Sequence, residues 1–383
     1  MIAYYTTIWT PYHETICREL NDLLGGSFRL VLTQPVGNEC NLGWSLRPPD
    51  YGWIVRPPSP KEPMDGGIWV EMILSAEILF VGALYGSRAL FAAVDKRVRS
   101  GKLTFFMGER PFKEGVRAKD FLRPYNWYVW WRLHRRYNRK NAHFLSIGRG
   151  VCEALRFLRV SKASIWKWAY FPAVSKICTE KTVSAKLRIC WCGRMIPCKN
   201  VQVLIRAVGL LTEADRDRCA VVIAGEGETK AACVSLANEL GLNDAIIFRP
   251  VLSHEEVLDL MSLSDVYVFP SNGEEGWGVA LEEAMDRGCV PIACEEAGAA
   301  HDLIEDGASG FLFKNGDAET LSAKLAWLLH HPAERKEMGN KAWESVQEWS
   351  PKTGAERVVE MVSRIAVGMT YEGALHGLCS RMN

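Results

Sequence analysis

The chain has 383 residues, of which 48% are hydrophobic and 24% charged, with 32 glycines and 17 prolines. That length exceeds one ordinary domain, and that composition excludes a disordered chain, a collagen-like repeat and a small disulfide scaffold. The formal net charge of +1 hides an asymmetry: residues 1–175 carry 25 Lys and Arg against 14 Asp and Glu, and the remainder carries 21 against 31.

The opening, MIAYYTTIWTPYHET, has no basic region followed by an apolar core, so no secretory leader is expected. A short apolar run (Met1 to Thr7) precedes a helical pattern from Pro11 to Leu24, stopped by Gly25-Gly26, and then a strand-like FRLVLT. The proline-rich stretch from Arg47 to Pro63 is too aromatic for a linker and reads as packed loops around one strand. ILFVGAL, a helix SRALFAAVDKRVR and LTFFMG continue the rhythm; Ala118 to Arg139 is predicted helical, and AHFLSIG a strand. The most apolar stretch, Ile68 to Val94, is broken by Glu71, Glu77, Gly82, Gly86 and Arg88, so no spanning helix is predicted.

Periodicity lapses between Pro172 and Lys186, which places a boundary between domains 1–175 and 176–383, with the last helix able to return to the first domain. Beyond the boundary LRICWCG, AVVIAG, AIIFRP, DVYVFPS and VPIACE alternate with amphipathic segments of helix length. Such alternation implies a parallel sheet covered on both faces. The predicted fold is therefore α/β: two Rossmann-like, doubly wound domains facing a cleft, with ligands outside the carboxyl ends of the strands. Twelve cysteines without a CxxC pair, and eight histidines without HExxH spacing, predict free thiols in a reducing compartment and no metal site.

The strand ends carry the chemistry. LRICWCG runs into Gly193-Arg194, and Lys199 follows near a helix start: a glycine turn, a guanidinium and an ammonium suit a diphosphate. The next strand ends in Gly225-Glu226-Gly227, a tight turn too short for a dinucleotide fingerprint. DVYVFPSNGEEGWGVALEEAM is the most informative segment. Gly276-Trp277-Gly278 leads into a helix whose N-terminus would present backbone N–H groups to phosphate. Glu275 in the loop and Glu283 on the helix are spaced to meet a sugar's hydroxyls and a ribose, since carboxylates accept from vicinal diols. Glu274 and Glu282 read as a solvated acidic helix start.

With Gly193-Arg194, Lys199, Gly225 to Gly227, FPSNGEEGWG, the Glu275–Glu283 pair and AGAAHDLIEDGASGF in place, residues 187–304 resemble the family 4 retaining glycosyltransferases of the GT-B fold. The resemblance implies that Arg194 and Lys199 hold the diphosphate and stabilise the leaving nucleotide. It puts Glu275 on the donor sugar, Glu283 on the ribose and the backbone near Arg249–Val251 against the base. Asp302 stands where the family has Glu after Pro, and His301 replaces that Pro, so no role transfers to either.

The first half resembles a bacterial polysaccharide or lipopolysaccharide subgroup through TPYHETICRELNDLLG, which contains His13, and through GERPFK. Its mid-domain strand ends in Glu109-Arg110 where relatives place a histidine, so His13, Glu109 and Arg110 are the acceptor-side candidates. The stretch YNWYVWWRLHRRYNRK interleaves rings and cations. It suits an anionic membrane surface, through Trp127, Trp130, Trp131, Arg132, Arg135 and Arg136. Packing of its rings into the core is the alternative, and nucleic acid the least favoured reading.

The sequence thus predicts a metal-independent, retaining transferase without a cofactor, acting from a UDP- or GDP-sugar on a glycan or lipid-linked acceptor. Its expected place is the cytoplasm, peripheral on the inner face of the plasma membrane. A sugar-nucleotide epimerase or hydrolase, or a catalytically silent nucleotide-sugar-binding protein, are the alternatives.

Overall fold

The computed structural model describes residues 1–7, 9–33, 49–56, 67–82, 87–109, 127, 131–175, 181, 184, 186–373 and 376–381, without the side chains of 132–134 and 149. Two compact units emerge: residues 1–173 with 349–383, and residues 174–348.

The first unit is a seven-stranded sheet. Its elements in chain order are β1 (Ile2–Thr6), α1 (Pro11–Leu24), β2 (Phe28–Leu32), β3 (Ile54–Val55), α2 (Ile68–Ser75), β4 (Ile78–Val81), α3 (Arg88–Arg99), β5 (Thr104–Gly108), a π-helical turn (Arg132–Tyr137), β6 (Ala142–Ile147), α4 (Arg149–Phe157) and β7 (Ile165–Trp168). The strand order is β3-β2-β1-β4-β5-β6-β7, and every pairing is parallel. The order reverses between β1 and β4, which is the switch point where ligands bind in such sheets.

α1 shows why the helix forms where it does. Thr10 caps it by accepting from the His13 backbone N–H, Pro11 opens it, and Gly25 closes it in the left-handed conformation. Ile16, Cys17 and Leu20 form its buried face. On one side of the sheet Trp69, Ile73, Leu90, Val94, Val98, Leu79 and Phe144 form a continuous core. Within this core Arg97 is fully buried and donates to the carbonyls of Ile73, Ala76, Glu77 and Leu103 and to the Thr104 hydroxyl. Burial pushes its guanidinium down to about 10, so it stays charged, and its partners among the described residues are dipoles.

The second unit contains β8 (Leu187–Cys192), α5 (Val201–Leu210), α6 (Glu213–Asp217), β9 (Cys219–Ala224), α7 (Lys230–Glu239), β10 (Ile246–Arg249), α8 (His254–Leu263), β11 (Val266–Phe269), α9 (Val279–Asp286), β12 (Val290–Cys294), α10 (Ala300–Leu303), β13 (Phe311–Phe313), α11 (Ala318–His330) and α12 (Pro332–Gln347). Its strand order, β10-β9-β8-β11-β12-β13, is also wholly parallel and reverses between β8 and β11. Arg188 at the start of β8 and Asp265 before β11 lock these two strands. Nη2 and Nε donate to the two carboxylate oxygens at 2.8 and 3.0 Å, and the Arg188 backbone N–H donates at 2.9 Å.

The last helix, α13 (Pro351–Ala366), is part of the first unit and packs on α1. The second unit therefore ends at Glu348, not at the chain terminus. The fit is tight: a Cβ on Gly354 would fall 2.4 Å from the Phe171 ring. The following segment runs antiparallel along the outer strand β7, with Lys167 N–H donating to Ser380 O at 3.0 Å and Cys379 N–H to Lys167 O at 2.9 Å. It covers the backbone groups of that edge.

Candidate nucleotide-sugar site

At the carboxyl end of β8 the chain turns through Gly193 into the exposed Arg194, and a 3-10 turn, Pro197–Lys199, leads into α5. The Lys199 side chain is 19% exposed, and its Nζ donates to Glu275 Oε2 at 2.5 Å. Its ammonium also stands 5.8 Å from the centre of the Phe269 ring. Asn272 N–H donates to Cys198 O at 2.8 Å, so backbone and side chain together join the loops after β8 and β11. Burial, then the nearby Glu275 carboxylate, pushes the Cys198 thiol up, and Lys199, Glu274 and Arg194 also act on it. These charges share one neighbourhood at the switch point.

The glycines are explained by close approach. A Cβ on Gly225 (φ +147°) would fall 1.9 Å from Gly193 O, and one on Gly227 (φ +153°) 2.3 Å from Met195 O. The loop after β9 thus lies directly on the loop after β8, tied by Met195 N–H to Glu226 O at 2.8 Å. Gly278 (φ +96°) sits against the Phe269 ring, where a Cβ would be 2.2 Å away. It starts α9 without a side-chain cap, which leaves that helix N-terminus to be satisfied from outside the helix. Gly276 is backed by Gly298, whose Cβ would fall 1.7 Å from Gly276 O, and Ala299 N–H donates to Trp277 O at 3.0 Å. The segment after β12 therefore holds the Gly276–Gly278 loop in place.

One sequence expectation needs correction here, and Trp277 supplies the reason. The Trp277 indole is 1% exposed and donates through Nε1 to Glu282 Oε2 at 3.0 Å, so its side chain braces the loop and only its backbone can face a ligand. Glu282 is not solvated: it is fully buried, and burial pushes its carboxyl well above the usual range. Its position on the inner face of α9, under Trp277, is what a linear reading misses. Glu274 is exposed as expected.

Glu283 is buried on α9, and its Oε1 lies 2.8 Å from His254 Nε2 on α8. The Glu283 hydrogen bond, more than any other influence, raises the His254 pKa. Sequence reasoning did not single out His254; the only signal was its place in Ser253-His254-Glu255-Glu256, a capping box. Arg249 closes β10, exposed, with its carbonyl accepting from Gly225 N–H at 3.1 Å, and Val251 is 63% exposed just beyond. His301 is exposed on α10 and Asp302 half-buried.

In the first unit, His13 lies beside the end of β1, its Nδ1 2.8 Å from Thr10 Oγ1 and its Nε2 3.2 Å from Thr6 Oγ1. Burial pushes its pKa down to about 4, so the imidazole is neutral at pH 7. Glu109, after β5, accepts from the Tyr170 hydroxyl at 2.9 Å. Arg110 and Trp130 lie outside the described residues, as does the Arg132 side chain. Trp127 and Trp131 are 54% and 40% exposed. Arg135 is exposed, but Arg136 is not a free surface cation: it pairs with the buried Asp95 and stacks 4.3 Å over Trp131.

Comparison with known proteins places this geometry. The model for "Glycosyl transferases group 1" matches residues 180–345. That match falls on the second unit, residues 174–348. Similar curated proteins include the alpha-D-kanosaminyltransferase of Streptomyces kanamyceticus, 30% identical over 40% of this chain and 39% of that one. Another is the GDP-mannose-dependent alpha-(1-6)-phosphatidylinositol monomannoside mannosyltransferase of Mycolicibacterium smegmatis, 26% identical over 45% of this chain and 46% of that one. Under half the length of each relative is matched. Among solved structures, Anabaena HepE in complex with UDP is 13% identical with a TM-score of 0.69, covering 94% of this chain and 99% of that one. WaaG, a glycosyltransferase involved in lipopolysaccharide biosynthesis, is 13% identical with a TM-score of 0.61, covering 95% of this chain and 100% of that one. These likenesses extend over both units, and the fold is GT-B: two Rossmann-like domains, the second of which carries the match to the group 1 model.

Proposed function

We propose that the protein is a retaining, metal-independent glycosyltransferase that moves a sugar from a UDP- or GDP-sugar to a hydroxyl of a glycan or lipid-linked acceptor in cell-surface polysaccharide synthesis. The observation that carries this reading is the Lys199–Glu275 ion pair at the β8/β11 switch point. In a nucleotide-diphosphate sugar the anomeric carbon bears the phosphate directly, so the group holding the phosphate and the group holding the sugar hydroxyls must be neighbours. An ammonium touching a carboxylate meets that demand. Arg194 joins Lys199 at the diphosphate, Glu275 accepts from the sugar, and the N-terminus of α9 receives phosphate charge. Glu283 accepts from the ribose, and the exposed backbone at Arg249–Val251 lies at the same edge of the sheet for the base.

Catalysis is electrostatic in this reading. The cations and the helix N-terminus stabilise the charge that builds on the departing diphosphate. No carboxylate is assigned as a covalent nucleophile; the leaving phosphate oxygen accepts the proton of the incoming hydroxyl on the same face of the sugar, which retains configuration. His13 and Glu109 are the acceptor-side groups. The exposed Trp127, Trp131 and Arg135 favour contact with an anionic membrane surface over a core role for this stretch. Among the described residues no helix is long and apolar enough to cross a membrane, so attachment by this route would be peripheral.

The test is a thermal-shift series with UDP, GDP and their sugars, followed by turnover in EDTA with the anomer of the product assigned by NMR. Binding to the folded state raises the melting temperature. Turnover without an acceptor would favour an epimerase or hydrolase, no turnover with tight binding a silent protein, and strict dependence on a divalent ion would overturn the metal-free mechanism.

A further inference from the structure

We infer that His254 is a positioning residue for donor binding: its imidazole Nε2–H fixes the Glu283 carboxylate in the orientation that meets the nucleotide's ribose. This rests on the reading of Glu283 given above. His254 Nε2 lies 2.8 Å from Glu283 Oε1. An ionised carboxylate only accepts, so the proton on this bond belongs to the imidazole, as the Nε2–H tautomer or as imidazolium.

The histidine is well placed to hold another group still. It is the first residue of α8, and that helix start is fixed reciprocally: Glu256 N–H donates to Ser253 Oγ at 3.2 Å, and Ser253 N–H to Glu256 Oε2 at 2.7 Å. From this anchored turn the ring reaches α9, where Glu283 is 6% exposed. A buried carboxylate with several rotamers accepts well from a diol only if its plane is set beforehand, and a bond from a neighbouring helix sets it. No substrate contact is assigned to His254 itself.

The same bond makes donor affinity depend on pH. The groups acting on His254 are Glu283 and Arg287 from α9 and its C-terminal cap and Glu255 from its own helix; Cys192 and Tyr267 on the strands feel Glu283. The Glu283 bond dominates and keeps the ring protonated to a higher pH than a free histidine. Below that raised pKa the bond is charge-assisted. As the pH rises through it, the bond remains as a neutral one and holds the carboxylate less firmly.

The test is calorimetric titration of the full-length protein with UDP and GDP, and with the 2′,3′-dideoxy form of whichever binds, from pH 6 to pH 9. Wild type should prefer the ribonucleotide, and that preference should fall as pH rises. His254→Ala should weaken ribonucleotide binding roughly tenfold while leaving the dideoxy form nearly unchanged. His254→Gln, which keeps an N–H donor without a titrating charge, should recover much of the preference and lose its pH dependence. Glu283→Ala should abolish the preference. If Glu283→Ala abolishes it and folded His254→Ala keeps it in full, His254 has no positioning role. A wild-type pH slope in His254→Gln would sink the inference equally, even if the alanine variant does not fold. If wild type binds neither nucleotide, or Glu283→Ala keeps the ribose preference, the reading of the site itself fails and takes this inference with it.

Discussion

At the β8/β11 edge, Lys199, Glu275 and Arg194 share a small space, and glycines let three loops lie on one another. At the β1/β4 edge, where the strand order reverses in the same way, the described residues at the end of β1 set the Thr6 and Thr10 hydroxyls around a neutral His13. The architecture fixes where a site can lie, and the residues at the strand ends decide what it can hold. Charged groups that touch one another suit a diphosphate and its sugar; hydroxyls and an uncharged imidazole suit the hydroxyl of an acceptor. The two units also bury arginine differently. Among the described residues Arg97 in the first donates to carbonyls and a hydroxyl, whereas Arg188 in the second has the Asp265 carboxylate.

That last contrast gives the largest expected effect. Arg97→Met leaves several carbonyls of the first unit without donors and should cost about 3–5 kcal/mol in urea unfolding, comparable to breaking a buried ion pair. Asp265→Asn leaves the partly exposed Arg188 able to reach water, so it should cost less, about 1–3 kcal/mol. Equal losses would show that dipoles and a carboxylate are equivalent partners at these two places.

Next in size is the chemistry of the second edge. Lys199→Ala and Arg194→Ala should each lower turnover about a hundredfold, on the order of 3 kcal/mol of transition-state stabilisation, with unfolding midpoints near wild type. His13→Asn, at the first edge, should raise the KM for acceptor with little change in donor affinity. Near-normal turnover in both folded cation variants would remove the diphosphate role.

The pH response separates the units further. His143 is buried in the first unit and pushed down to about 4, as is His13. A histidine with a depressed folded-state pKa stabilises fully above its unfolded value near 6.5 and loses that contribution as pH falls toward about 4. His254, raised by Glu283, works in the opposite sense: its contribution is complete below about 6.5 and is lost as pH rises through its folded value. Between pH 7 and pH 5, His143 alone should cost the first unit about 1–2 kcal/mol. His143→Gln should flatten that loss in a melting series, whereas His254→Gln should leave it unchanged.

The smallest effect concerns the exposed rings of the first unit. Trp127→Ala with Trp131→Ala should lower binding to anionic vesicles at low salt, and Arg135→Ala should lower it by about 1 kcal/mol. Arg136→Ala is a different test, because that residue pairs with Asp95; it should cost stability as well. Equal sedimentation of wild type and the ring variant would end the membrane reading without touching the transferase reading.

The sequence by itself determined the parallel, doubly wound class and the residues to inspect at the ends of β8, β9 and β11. Apolar runs separated by amphipathic segments, and glycines beside charges, are local signals, and local signals survive in one dimension. Only the tertiary structure decided what those residues touch. Glu282 reads as an exposed acid because it lies in the first turn of a helix, where acids are favoured, yet the turn of α9 carries it beneath Trp277. Gly225 reads only as part of a tight turn, yet what requires a glycine there is the Gly193 carbonyl of another loop. The Lys199–Glu275 pair joins residues 76 positions apart, and His254–Glu283 joins residues 29 apart. Arg136, one cation in a basic run, is committed to an aspartate 41 residues away. Burial and ion pairing depend on which strands lie side by side, and that is settled when the sheet closes over its core rather than by the order of residues along the chain.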